Sequence, residues 1–338
     1  MEIKGAMEME QQYSLSEKMD FLGSLLMNDL WILIPKICNK LGFRFYRSKV
    51  IHGTYANRRL LSNEEFNQEV IRLLNGDKPV MISRMGGGNE ITLLDQYLKK
   101  KMGFTKEIHR KYIKRVHYQA GVFPESVETA ERVCEEYFRA ISQIDICGLW
   151  FRYCDDFILE EYLPNAQITL ADNIEPYYAS EPWTQALEGK RVLVIHPFEK
   201  TIRQQYKVRE KIFEDPRLLP EFELLTVQAV QSLAGNKPAN FNNWFEALDY
   251  MYQEAMKRDF DVAIIGCGAY GVPLAAKIKQ AGKKAIVTAG ATQIMFGIKG
   301  ARWDTMPEVN KYYNEYWTRP LDSDKPENFQ IVESGCYW

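Results

Sequence analysis

The run Asp261-Val262-Ala263-Ile264-Ile265, followed at once by Gly266-Cys267-Gly268-Ala269-Tyr270-Gly271, constrains the fold of this chain more than any other stretch. An apolar run of strand length, without alternation, is a strand buried on both faces, and such a strand needs helices above and below it. The glycine turn opens an amphipathic stretch, Val272 to Ala281, and a second apolar strand, Lys284 to Thr288, follows. Strand, glycine turn, helix and strand in that order predict a parallel pair with a helical crossover.

The same rhythm recurs through most of the chain. Ser62 with Glu65 forms a capping box, and Phe66, Val70, Leu73 and Leu74 give the apolar face of the helix it starts. Strands are expected at Pro79 to Ser83, Ile144 to Trp150, Arg191 to Ile195 and Phe222 to Val227. Helices are expected at Glu90 to Lys99, Ser126 to Ser142, Asp155 to Tyr162, Glu199 to Phe213 and Asn242 to Arg258. His109 to Tyr118 is basic and leans towards β structure. The predicted fold is α/β: a Rossmann-like parallel sheet with helices on both faces, plus an N-terminal helical extension. Residues 1–60 form that extension, and residues 61–338 form the α/β domain with a C-terminal tail wrapped around it.

The extension carries Phe21, Leu22, Leu25, Leu26, Leu30 and Trp31 near helical spacing, then Lys36, Lys40, Arg44, Arg47 and Lys49 among aromatics. Residues 21–49 fit either a helix packed on the domain or a subunit, or a peripheral contact with an anionic membrane surface. No apolar run is long enough to span a bilayer, and the acidic, polar start is not a signal peptide. Lys+Arg 43 against Asp+Glu 45 leaves a net charge of −2, which argues against nucleic acid as a partner. Six dispersed cysteines without a C-x-x-C pair fit a reducing, cytoplasmic setting.

Three strand-to-helix turns fall at the carboxyl edge of such a sheet, where ligands bind. The turn Gly266, Gly268, Tyr270 and Gly271 has the G-x-G-x-x-G form, but the next strand ends in Thr-Ala-Gly and lacks the acidic residue that holds a dinucleotide ribose. It is expected to cradle a phosphate or diphosphate, or to be a tight packing turn. In Arg84-Met85-Gly86-Gly87-Gly88-Asn89-Glu90, the glycines allow close approach to a ligand and Arg84 can pair with phosphate. Glu90 is a base, a metal ligand or a helix cap. His196, at the end of its strand and followed by Lys200 and Arg203, is either an acid/base group or a buried, satisfied imidazole. Glu175, Tyr177, Trp183 and Trp303 lie in polar-aromatic loops that suit a sugar or base platform, or contacts in a homo-oligomer.

The pairing of Ser-Arg-x-Gly-x-Gly after an early strand with a late strand–Gly-x-Gly–helix and "GKKAI" resembles bacterial GT-D type glycosyltransferases. The segments PWTQALEGKRVLVIHPFEKTIRQQY and IIGCGAYGVPLAAKIKQAGKKAIVTAGATQIMFGIKG are similar to proteins of polysaccharide biosynthesis. The resemblance implies a glycosyltransferase that moves a sugar from a nucleotide-sugar donor to a glycan or lipid-linked acceptor; the basic-aromatic stretch 21–49 leaves such a cytoplasmic enzyme either free or peripheral to the inner face of the membrane. A nucleotide-sugar modifying enzyme and a non-catalytic component of a polysaccharide-synthesis complex are the alternatives. In the family the first turn reads Arg-Tyr-Gly-Asp-Gly-Glu and holds a metal through Asp and Glu. Here Gly87 stands at the Asp position, so Glu90 with the donor phosphates is what remains to hold Mg2+ or Mn2+. On this reading Glu90 and His196 are the catalytic candidates, Glu90 as metal ligand or base and His196 with Arg84 stabilising charge, and Arg84, Gly86, Gly87, Gly88 and Asn89 with the late glycine turn hold the diphosphate.

Overall fold

The structure is a computed structural model that describes residues 13–23, 26, 53–151 and 154–338. Most of the stretch 21–49, and with it the membrane contact expected there, lies outside the described residues. Among the described residues no helix is long and apolar enough to cross a membrane.

The described strands form one sheet in the order β1-β2-β5-β4-β3-β9-β8-β6-β7. They are β1 (Thr54–Tyr55), β2 (Arg58–Leu61), β3 (Val80–Arg84), β4 (Ile146–Leu149), β5 (Gln167–Leu170), β6 (Arg191–His196), β7 (Glu223–Gln228), β8 (Val262–Ile265) and β9 (Lys284–Val287). Every pairing is parallel except the β1–β2 hairpin at one edge. Side chains alternate across a strand, so Met81, Leu193, Ile195, Ala263 and Ile265 face one apolar core. Val80, Ile82, Val192, Val194, Val262 and Ile264 face a second core on the other side.

Helices cover both faces. The first core is built with α3 (Gly88–Lys101), α4 (Arg110–Ala120), α5 (Val127–Ile141), α6 (Asp155–Tyr162), α8 (Trp244–Met256) and α9 (Gly271–Gln280), and Phe21 of α1 (residues 15–23) packs on it. The second uses α2 (Asn63–Asn75), α7 (Glu199–Tyr206), α10 (Ala291–Met295), α11 (Pro307–Asn310) and the tail. Ser62 caps α2 with the reciprocal Glu65 contact that makes a capping box.

Three local readings need correction. His109 to Tyr118 is not β: His109 accepts from Lys111 N and starts α4, whose Ile113, Val116 and Ala120 turn inward at helical spacing. Its β-branched residues mark a buried helical stripe, and packing outweighs propensity. The helix expected over 199–213 stops at Tyr206, and a 3-10 turn, Arg209–Lys211, follows. The carbonyl of Ile212 just beyond it accepts from the indole of Trp317, so a tail contact ends the element. Strands β1, β2 and β5 lie outside the expected set, because they are short and part-exposed and mix polar with apolar residues, so no unbroken apolar run marks them.

β3, β4 and β5 run outward in one direction from β3, and the strands of the second half lie on its other side, with β9 next to it. Strand order therefore reverses between β3 and β9, and the crevice beyond their carboxyl ends is where such a sheet receives ligands.

Candidate functional site

Arg84 ends β3, and its side chain turns towards the loop after β5. It donates to Glu175 Oε1 at 2.8 Å and to the Ala171 carbonyl at 3.2 Å, and its guanidinium lies 4.8 Å from the Trp150 ring centroid. Arg84 Nε is buried without a hydrogen-bond partner. Glu175 also accepts from the Tyr177 hydroxyl. Burial pushes the Glu175 carboxyl up, and Arg84 pulls it back towards the charged form. The cation is thus committed to a carboxylate and an indole face. A phosphate would have to compete with both.

The glycine loop is shaped by Glu90. Its carboxylate folds back over the loop: a Cβ on Gly87 would stand 2.6 Å from Glu90 Oε2. Burial raises its pKa, and the neighbouring backbone of Glu90 and Gly87 pulls it back towards the charged form. The main chain of Gly87 and Gly88 stays exposed, and Asn89 is half-exposed. Beside the loop is a shallow recess of about 10 Å³, room for about one water, lined by Met85, Gly88, Gly148, Trp150 and Asp155 among others.

The late glycine turn is more closed. A Cβ on Gly266 would meet Thr292 Oγ1 at 2.4 Å, His196 Cδ2 at 2.6 Å and the Ala289 carbonyl at 2.8 Å. Gly271 packs against Val287, and only Gly268 within the turn is exposed, at φ +58°. Tyr270, expected to touch the diphosphate, is instead buried. Its ring stacks on Trp244 with centroids 5.0 Å apart, and its hydroxyl lies 2.7 Å from Ser232 Oγ. His196 Nδ1 accepts from Phe198 N at 2.9 Å, so the proton of the neutral ring sits on Nε2. Burial pushes its pKa down to about 3 and keeps it neutral. His196 can donate one hydrogen bond but cannot bring a positive charge.

The two turns lie side by side. Tyr137 of α5 connects them: its hydroxyl donates to the Ala269 carbonyl at 2.7 Å, and its ring edge would be 3.2 Å from a Cβ on Gly86. Nothing in the sequence around Tyr137 marks this role, because it depends on a helix-to-turn contact 132 residues apart. Trp150 was missed for a different reason. It was read as the end of a strand, although that end is the side where a ligand would sit.

The expected aromatic rim is not open. Trp183 is fully buried, with its indole donating to the Ile174 carbonyl at 3.0 Å. Tyr177 is buried on Glu175, and Trp303 is buried against Gly290 and Gly300. Large rings bury too much apolar area to stay on a rim once the second core can take them. Arg203 turns away from His196: it pairs with Glu199 and donates to Thr226 Oγ1 at 2.8 Å.

Among the described residues no group of three or more His, Cys, Asp or Glu side chains is placed to hold a metal ion. Glu90 offers a single, buried carboxylate, and this is a poor fit to a divalent cation without donor phosphates.

No protein-family model matches the chain, and no curated protein matches it significantly in sequence. Two solved structures align with 80% of this chain and 93% of their own length at 12% identity. One is a selenomethionine-substituted form of domain of unknown function 1792, with a TM-score of 0.42. The other, with a TM-score of 0.43, is described as the highly conserved domain of unknown function 1792 with a distinct glycosyltransferase fold.

Proposed function

We propose that the protein is a glycosyltransferase that takes a sugar from a nucleotide-sugar donor and transfers it to a glycan or lipid-linked acceptor in surface polysaccharide synthesis at the cytoplasmic face of the membrane. The observation that carries this reading is the juxtaposition of two glycine turns at the strand-order reversal. Tyr137 joins them, and exposed main chain at Gly87, Gly88 and Gly268 faces solvent there. Backbone N–H groups of this kind suit a diphosphate.

In the transfer, the acceptor oxygen forms a bond to the anomeric carbon as the bond to the diphosphate oxygen breaks. The acceptor proton goes to a base, and the diphosphate leaves with the bonding electron pair. Glu90 is the carboxylate beside the loop, and its raised pKa makes it a stronger proton acceptor than an exposed glutamate. His196 Nε2–H and the turn N–H groups stabilise charge on the leaving diphosphate. A divalent ion, when bound, would be held by Glu90 together with the donor phosphates and would add charge neutralisation. Contact of residues 21–49 with the membrane belongs to the same proposal.

Calorimetric titration with UDP, GDP and CDP, each with and without Mg2+ or Mn2+, tests the donor site. Saturable binding of one of them is expected, and binding of none would end this reading. A second reading, a non-catalytic component of a synthesis complex, is favoured by Gly87, which stands where the family's first turn carries its metal-binding Asp. Loss of donor turnover in Glu90→Gln, with nucleotide binding retained, would decide against it.

A further inference from the structure

Residues 327–338 cross the same carboxyl edge. The segment is tied down by Asn236 Nδ2 to the Glu327 carbonyl (2.7 Å), Gln119 Nε2 to the Ile331 carbonyl (2.9 Å) and Gln293 Nε2 to the Tyr337 carbonyl (2.8 Å). Its last ring, Trp338, lies 6.0 Å from Phe198, two residues beyond His196, and Tyr337 packs against Gly290 at the end of β9. It therefore bridges α4 to the ends of β6 and β9.

The middle of this strap is strained. Glu333, Ser334 and Gly335 are consecutive left-handed residues, at φ 45°, 59° and 74°, and two of them carry side chains that disfavour that region. The strain places the Glu333 carboxylate on the guanidinium of Arg302. Arg302 is partly buried, 4.7 Å from the Tyr337 ring centroid and 3.2 Å from Cys336 Sγ. A carboxylate carried on a strained backbone is thus held on this guanidinium by the ion pair.

We propose that Arg302 belongs to an anion site for a diphosphate group, that Glu333 occupies this site in the unliganded protein, and that the strap lifts when the anion binds. That the diphosphate belongs to a nucleotide-sugar rests on the donor reading above. The anion site itself rests on the Arg302–Glu333 geometry.

The probe is inorganic pyrophosphate, with UDP, GDP and CDP as parallel arms, measured on the full chain. Glu333→Asn removes the charge, and asparagine tolerates the left-handed backbone, so the strap keeps its path. Removing a tethered competitor is expected to tighten pyrophosphate binding on the order of tenfold. The double variant Arg302→Gln/Glu333→Asn is expected to lose that gain. Hydrogen exchange at residues 329–338 of the unaltered protein is expected to speed up when pyrophosphate is added. An unchanged or weakened affinity in Glu333→Asn, no pyrophosphate binding in any variant, or exchange that does not respond would each overturn the proposal. Tighter pyrophosphate binding in Glu333→Asn without binding of any nucleotide would keep the anion site and remove the donor reading. Nucleotide binding without the Glu333→Asn gain would do the reverse.

Discussion

The first two glycines of one motif can be told apart by what a methyl group would meet. At Gly266 it would collide with Thr292, His196 and the Ala289 carbonyl, none of them the loose end of a long side chain. At Gly268 nothing lies within 4 Å, and the only obstacle is φ +58°. Gly266→Ala is therefore expected to lower stability by about 2–3 kcal/mol through overpacking. Gly268→Ala should cost about 1 kcal/mol through backbone strain. Chemical denaturation of the two variants checks the order, and an equal loss would contradict the packing assigned to Gly266. The motif was visible in the sequence, but its division of labour was not. G-x-G-x-x-G states that the backbone is unusual without stating whether a ligand or the protein fills the space. Glu90 shows the same limit: the sequence does not say that its carboxylate folds back over Gly87 beside the loop.

Between elements, the Arg84–Glu175 pair ties the end of β3 to the segment after β5, with side chains only 12% and 15% exposed. Arg84→Met is expected to destabilise the protein by about 3–5 kcal/mol, because it leaves a buried carboxylate without its counter-ion. Arg84→Met with Glu175→Gln should recover much of that loss. Thermal unfolding of both variants is the measurement, and a double variant no better than the single one would show that the pair matters less than the indole contact. Element identity was legible wherever apolar runs were long. β3, β4, β6, β7, β8 and β9 were all anticipated within a few residues. α4 was not, because a short stripe of Ile113, Val116 and Ala120 in a basic stretch resembles a strand when the helix packed against it is unknown.

At the scale of the whole molecule, acid should weaken the fold through a single imidazole. His196 has its pKa lowered to about 3 in the folded state against 6.5 in the unfolded chain. Between those values the unfolded chain binds the extra proton, so stability is full above about pH 6.5 and falls as pH drops. At pH 5 the loss from this group alone is about 2 kcal/mol. Urea unfolding at pH 7.5 and pH 5 should show it, and His196→Gln should flatten that part of the profile. A variant with the unaltered slope would assign the acid sensitivity elsewhere. The two-core layout followed from unalternating strands, and a wrapping tail was expected, but its path over the edge was not legible, since residues 327–338 have no period to read.

The tryptophans give the fold an optical consequence. Trp183, Trp244, Trp303, Trp317 and Trp338 are buried, whereas Trp150 is 38% exposed, beside the glycine loop and over Arg84. Among the described indoles it is the one that a dissolved quencher can reach. Its emission lies to the red of the buried set, so a molecule binding over the recess would shield it and shift the spectrum without any added label.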